Sequence, residues 1–344
     1  MVYHLTAPPP VIAGTDAVLQ EVETLRARFG GTLSYLYPFR RPGIHLPWML
    51  YGLHRLVALR RQDAGADGHH VYAPQLYLYP ILRWLRRPVV YSITTSLQAQ
   101  RRPSRRRAFD SIHSIVVSNE RDLAILGSWR IGRARLIRPG IDASRFGCSP
   151  LVVGTDFTLL AGSAPWTARQ FRLKGVDALL EAARLMPNLR LVFLWRGLLL
   201  DEMRARIRAH GLHGRVEVVD EKVDVNQVLA RVHAAVVLAA VPTLVKAYPH
   251  SLLESLAAGK PVLVSECIPM ADYVEATGCG QVVPRLHAAD LLQAIEALID
   301  GYDGFQARAQ QVGGRDFSQQ AMLEAYEALY AGLPVPSPAG WQQP

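Results

Sequence analysis

Cysteine is scarce, lysine is missing from the first 150 residues, and no apolar run approaches the ~18 residues of a membrane span. The three cysteines, Cys148, Cys267 and Cys279, have neither an even count nor metal-ligand spacing. A disulfide framework and a zinc site are therefore excluded as organising features, and buried structural thiols are expected. No acidic cluster has the pattern of a divalent-cation site. No recognition module or aromatic-basic ladder points to nucleic acid. The opening MVYHLTAPPP lacks the basic and apolar regions of a signal peptide, so a cytoplasmic protein is expected.

What is present fits a globular chain of two domains: 344 residues, half of them hydrophobic and 19% charged. Charge is unevenly spread. Residues 1–150 hold 21 arginines, no lysine and 9 acidic residues, a balance of +12, while the remainder stands at −3. Arg101, Arg102, Arg105, Arg106 and Arg107 cluster in one loop, with Arg83, Trp84, Arg86 and Arg87 upstream. Two readings stay open: a surface for anionic lipid or a lipid-diphosphate acceptor, on the inner face of a membrane, and a plain solvated basic face.

Apolar strand patterns alternate with helical ones along the chain: TLSYLYP, a helix near residues 47–61, HHVYAP, a helix near 75–85, PVVYSIT and SIVVSN. Such alternation predicts an α/β fold with doubly wound parallel sheets. The organising stretch is KAYPHSLLESLAAGKPVLV, residues 246–264. Pro249 suits the first turn of a helix that closes on Gly259, and the apolar runs on either side read as buried strands. The free N–H groups of that first turn fall at His250, Ser251 and Leu252, where the positive end of the helix dipole favours an anion. A diphosphate is expected there.

This stretch resembles the C-terminal signature of retaining glycosyltransferases of family 4, enzymes of the GT-B fold, with Glu254 followed by SLAAGKP. Lys246 stands where the family has a first glutamate, and Tyr248 where it has an aromatic. Two further segments carry the resemblance. One is the R-x4-K-G element, Arg169, Lys174 and Gly175; Arg169 follows Ala168 where the family has glycine, and Arg172 is an alternative cation. The other is the closure of the first domain, Arg138, Pro139, Gly140, Ile141 and Asp142. Gly14, in the loop after the first strand, is the best counterpart of the family's phosphate-facing glycines. A simple strand-to-helix turn is the other reading of that position.

The resemblance implies two Rossmann-like domains facing across a cleft: residues 1–148 on the acceptor side and 149–316 on the nucleotide-sugar side. A helix at 317–333 crossing back to the first domain and a disordered tail, 334–344, complete the expectation. It implies transfer of a hexose from a nucleotide diphosphate-sugar to a glycan or lipid-linked acceptor, as in cell-envelope glycan synthesis, with retention and with neither metal nor cofactor. Lys174 and Arg169 would neutralise the leaving diphosphate together with Pro249, His250, Ser251 and Leu252. Glu254 would bind the ribose and Lys246 the donor sugar, where an ammonium donates hydrogen bonds and favours a carboxylate-bearing sugar. Thr94 and Thr95 stand where the family commonly has a histidine, so no side-chain base is named. With two family positions replaced, an inactive nucleotide-sugar-binding scaffold is the alternative.

Overall fold

The computed structural model describes residues 1–8, 16–37, 46–102, 111–195 and 198–334. Gly14, Arg105, Arg106, Arg107 and residues 335–344 of the expected tail lie outside the described residues. The chain divides into two compact units: residues 1–138 with the segment from Ala321 onward, and residues 139–320. The division falls at Arg138/Pro139, just before the Pro-Gly-Ile-Asp closure rather than at residue 148.

The first unit is built on a six-stranded parallel sheet, β1 (Val2–Leu5), β2 (Thr32–Tyr35), β3 (His69–Ala73), β4 (Val89–Ile93), β5 (Ile112–Val117) and β6 (Ala134–Leu136), in the order β2-β1-β3-β4-β5-β6. Its helices are α1 (Ala17–Phe29), α2 (Leu56–Gly65) and α3 (Glu120–Ser128). Asp16 caps α1 by accepting the N–H groups of Val18 and Leu19, and Asn119 caps α3 through the N–H of Asp122. The two middle helical expectations shorten. Gly52, left-handed at φ 82°, splits the first into 3-10 turns at Trp48–Leu50 and Leu53–Arg55 before α2 begins. Residues 75–85 yield only a 3-10 turn, Pro80–Trp84, because the proline holds Tyr79 extended at ψ 126°.

Every residue of β3 and β4 is buried, and the strands carry polar side chains into the core on both faces. On one face the Asp63 carboxylate accepts from His69 Nε2 at 3.0 Å and also takes the N–H groups of Arg86 and Arg87. His69 Nδ1 is then left to accept from His4 Nε2 at 2.9 Å, and His4 Nδ1 is buried with no hydrogen-bond partner among the described residues. On the other face His70 bonds Ser92 Oγ and Tyr330 Oη, each at 2.7 Å, and the hydroxyls of Tyr72 and Tyr326 donate to Glu21. Tyr326 and Tyr330 belong to α12 (Gln319–Ala331), whose buried Met322 and Tyr326 complete this core.

The second unit has its own six-stranded parallel sheet, β7 (Phe157–Ala161), β8 (Leu189–Leu194), β9 (Val216–Val219), β10 (Ala234–Val237), β11 (Val262–Ser265) and β12 (Gly280–Val283). Its helices are α4 (Ala168–Leu173), α5 (Val176–Leu185), α6 (Leu200–Ala209), α7 (Val225–Leu229), α8 (His250–Ala257), α9 (Met270–Thr277), α10 (Ala288–Asp300) and α11 (Tyr302–Gly313). The order β12-β11-β10-β7-β8-β9 is that of a Rossmann sheet, in which the winding reverses between β7 and β10. β7 pairs directly with β10, Leu159 opposite Ala234, so the loops leaving their carboxyl ends emerge side by side. Two Rossmann-like parallel-sheet units in one chain make the fold GT-B, as expected.

Candidate active site at the switch point of the second sheet

The loop after β7 and the helix after β10 meet at the point where the sheet reverses direction. Pro249 sits extended at the N-cap of α8 with no side-chain cap, which leaves the helix start open. Leu252 N–H bonds the Pro249 carbonyl at 3.0 Å, so of the three expected donors this one is taken up inside the first turn. Ser251 lies against the loop from β7: a Cβ placed on Gly162 would stand 2.8 Å from Ser251 Cβ and 3.0 Å from its Oγ. Only glycine allows the two elements to approach so closely. The Gly162 position was not among the expected site residues, although a Gly-Ser pair directly after an apolar strand is the signal that marks it.

Lys174 is brought to the same loop from the other side. Its Nζ donates to the Ala164 carbonyl at 3.0 Å and stands 5.7 Å from the ring centroid of Trp166. The corner that carries it is fixed by Gly175, left-handed at φ 69°, whose added Cβ would lie 2.6 Å from Leu238 Cδ1 just beyond β10. The Leu173 carbonyl also accepts the N–H of Ala240 at 2.7 Å. The Lys-Gly pair is therefore held to the carboxyl end of β10, where α8 begins. Arg169 and Arg172, on the one-and-a-half turns of α4, are exposed and form no ion pair among the described residues. They supply exposed positive charge, whereas Lys174 supplies charge placed by its bond to the Ala164 carbonyl.

Burial first, and then the charge of Lys246, hold the His250 imidazole well below its usual range, so it is neutral at pH 7. Lys246 precedes Pro249 by three residues, and its positive charge acts in the same sense as the helix dipole. Glu254 follows Ser251 by three residues and His250 by four, so all three share one flank of α8, with Glu254 half-buried. Behind the helix, Lys260 is fully buried, its Nζ bonded to the Ser149 carbonyl, and burial lowers its pKa to about 8. Lys260 thus ties the first residues of the unit to the helix rather than facing a ligand. Among the described residues no group of three or more His, Cys, Asp or Glu is arranged to hold a metal ion.

In the first unit, Thr94 and Thr95 both turn their hydroxyls to the backbone, onto the carbonyls of Ala73 and Pro74, and join the end of β4 to the end of β3. Arg101 and Arg102 are exposed.

Residues 166–312 match the family model of glycosyl transferases group 1. The matched span contains Arg169, Lys174, Lys246, Glu254 and the whole of α8. No curated protein matches. Among solved structures, Anabaena HepE in complex with UDP and glucose is similar at 15% identity and a TM-score of 0.70, over 96% of this chain and 99% of that one. WaaG, a glycosyltransferase involved in lipopolysaccharide biosynthesis, is similar at 16% identity and 0.68, over 96% and 100%. Sucrose-phosphate synthase from Thermosynechococcus elongatus is similar at 16% identity and 0.69, over 96% and 98%. These likenesses establish the fold, and with the family match they support a group 1 glycosyltransferase.

Proposed function

We infer that the chain transfers a hexose from a nucleotide diphosphate-sugar, with retention at the anomeric carbon and without a metal. The observation that carries this reading is the approach of Gly162 to Ser251 at the switch point, with Lys174 anchored on the same loop. A diphosphate seated at the start of α8 would take the remaining N–H groups of the first turn and the Ser251 hydroxyl. Lys174 would exchange the Ala164 carbonyl for a phosphate oxygen, and its charge counts most as the sugar bond breaks and negative charge builds on the leaving group. Arg169 would close over the outer phosphate. Glu254 would accept from the ribose hydroxyls, and the leaving diphosphate would help deprotonate the acceptor.

Lys246 is the residue that reads the donor sugar. Its ammonium donates but cannot accept hydrogen bonds, so a uronic acid donor suits it better than a neutral hexose. UDP-linked donors head the panel because similar folds were solved with UDP bound. The acceptor is a glycan or a lipid-linked sugar, by the same analogy and by the basic charge of the first unit.

The test is binding and nucleotide release with UDP-, GDP-, ADP- and dTDP-linked sugars, neutral and uronic, in the presence and absence of chelator. One donor is expected to stabilise the protein and to be turned over with chelator present, giving a product of unchanged anomeric configuration by NMR. Binding without turnover across a broad acceptor set would instead establish a nucleotide-sugar-binding scaffold. Equal use of neutral hexoses by the parent and by Lys246→Ala would remove the acidic-donor reading.

A further inference from the structure

Exposed large apolar side chains gather on neighbouring elements of the first unit. Trp48 is 42% exposed, Met49 56%, Leu50 43%, Val57 65% and Trp84 42%, five of the ten such residues among those described. The other five, Leu136, Val152, Trp166, Leu185 and Val241, are dispersed from β6 to the loop after β10. A concentration of this kind on packed elements calls for a partner, whereas scattered single residues do not.

The five belong together because their elements pack on one another. The Trp48 ring rests on Tyr77 and Tyr79, with centroids at 6.2 and 6.5 Å, and Tyr51 stacks on Tyr79 at 5.7 Å and 9°. Tyr79 leads straight into the 3-10 turn that ends at Trp84, and Gly52 lies on Ile81 of that turn. At its far end α2 is tied to the residues after Trp84 by Asp63, which takes the N–H groups of Arg86 and Arg87. The core beneath is filled by Leu59, Ile81 and Leu82, with Leu53, Leu56 and Leu85 packed against it. Trp48, seated on this aromatic base, and Met49 and Leu50 beside it therefore keep much of their apolar surface exposed.

Charge selects the occupant. Between residues 46 and 90 the chain has six arginines and two aspartates, and one of the two, Asp63, is buried. Arg60 and Arg61 flank Val57 by three and four positions on α2, and Arg83 and Arg86 flank Trp84; all four are exposed, and none makes an ion pair among the described residues. A second copy of this chain docked through the same face would bring these arginines against their own counterparts, which like-charge repulsion opposes. An anionic bilayer offers the complementary pair: phosphates for the guanidinium groups and the headgroup boundary for Trp, Met and Leu.

We propose that this face, the Trp48–Leu50 turn with Val57 and Trp84 inside a ring of Arg60, Arg61, Arg83 and Arg86, docks the protein peripherally on an anionic lipid surface. The tryptophans lie at headgroup depth, and the arginines set the preference for negative lipid. Nothing in this depends on the sugar-transfer reading, and its test needs no nucleotide.

The experiment is sedimentation of the full chain with vesicles of phosphatidylcholine, with and without roughly one third phosphatidylglycerol, at low and high salt. Two variants are compared with the parent: Trp48→Ser/Met49→Ser/Leu50→Ser, and Arg60→Gln/Arg61→Gln/Arg86→Gln. The parent is expected to bind only the anionic vesicles and to release in high salt, and each variant to bind at least about tenfold more weakly. Quenching of the parent's fluorescence by brominated acyl chains, lost in Trp48→Phe/Trp84→Phe, reads the same contact without truncating the face. No binding by the parent, equal binding by parent and both variants, or a dimer that the serine variant dissociates in the absence of lipid binding would each overturn the proposal.

Discussion

The two units use one architecture and place their polar groups oppositely. In the second, β7, β10 and β11 are apolar apart from Thr158 and Ser265, and the cationic and hydroxyl groups sit at the carboxyl edge of the sheet, on Lys174, Lys246 and Ser251. In the first, polar groups run through the middle of the sheet, His4, His69, His70 and Ser92, while exposed arginines such as Arg60, Arg61, Arg83 and Arg86 lie outside. The difference teaches that a Rossmann-like sheet can be spent in two ways. Apolar central strands leave the polar groups of this region at the strand ends, which suits a preorganised anion site. A polar interior spends hydrogen bonds on specifying the core and leaves the surface to make the contacts.

The largest expected effect tests the placed charge of the second unit. Lys174→Ala should lower donor turnover by at least about a hundredfold, on the order of 3 kcal/mol of transition-state stabilisation, with little change in Tm. Arg169→Ala, on an exposed helix, should cost about tenfold or less, so that initial rates with the preferred donor separate the two cations. Equal losses would show that Lys174 has no privileged position.

Next come the two glycines that hold the edge together. Gly162→Val should push Ser251 away and weaken nucleotide diphosphate binding, read by calorimetry, by at least about tenfold, while the fold survives. Gly175→Ala, with its left-handed φ and Leu238 in the way, should act on stability instead, by roughly 2 kcal/mol in urea unfolding. A normal affinity in Gly162→Val would separate the α8 site from the β7 loop.

The polar interior of the first unit should show in its response to acid. Burial lowers His4 well below its usual range, lowers His69 despite the opposing Asp63, and takes His70 to about 3. The folded values lie below the unfolded one, so the unfolded chain binds more protons as the pH falls. The contribution of these histidines is complete above pH ~6.5 and declines below it, by up to about 1.4 kcal/mol per pH unit for each one still neutral. The second unit carries two lowered histidines, His233 and His250, and should decline less steeply. Hydrogen exchange at pH 5 and 7.5 should then open β1, β3 and β4 before β7 and β10. The reverse order would break the comparison.

Much of the second unit was legible residue by residue. Pro249 marked the start of α8, Gly259 is left-handed just past its C-cap, and Gly175 marked the Lys174 corner, because each answers to a local backbone requirement. Gly14 and three arginines of the basic loop fall outside the described residues, so for them the structure adds nothing to the sequence. The helix expected over 75–85 failed because its apolar spacing says nothing of the conformation that Pro80 imposes on Tyr79. The histidine chains were not legible either. His4 and His69 bond through the pairing of β1 with β3, and no spacing along the chain encodes a register between strands so far apart.

By itself the sequence determined the alternation of strand and helix, the open proline-led start of α8, the lysine-glycine corner and the imbalance of charge, since all of these are set by neighbours in the chain. Only the tertiary structure decided that β7 lies beside β10, and so that Gly162 meets Ser251 and Lys174 reaches the same loop. It also decided that the segments carrying Trp48 and Trp84 pack on one another. Those meetings come from burying whole faces of sheet and helix, a non-directional force that chooses among pairings by the surface it removes from water and leaves no mark at any single position.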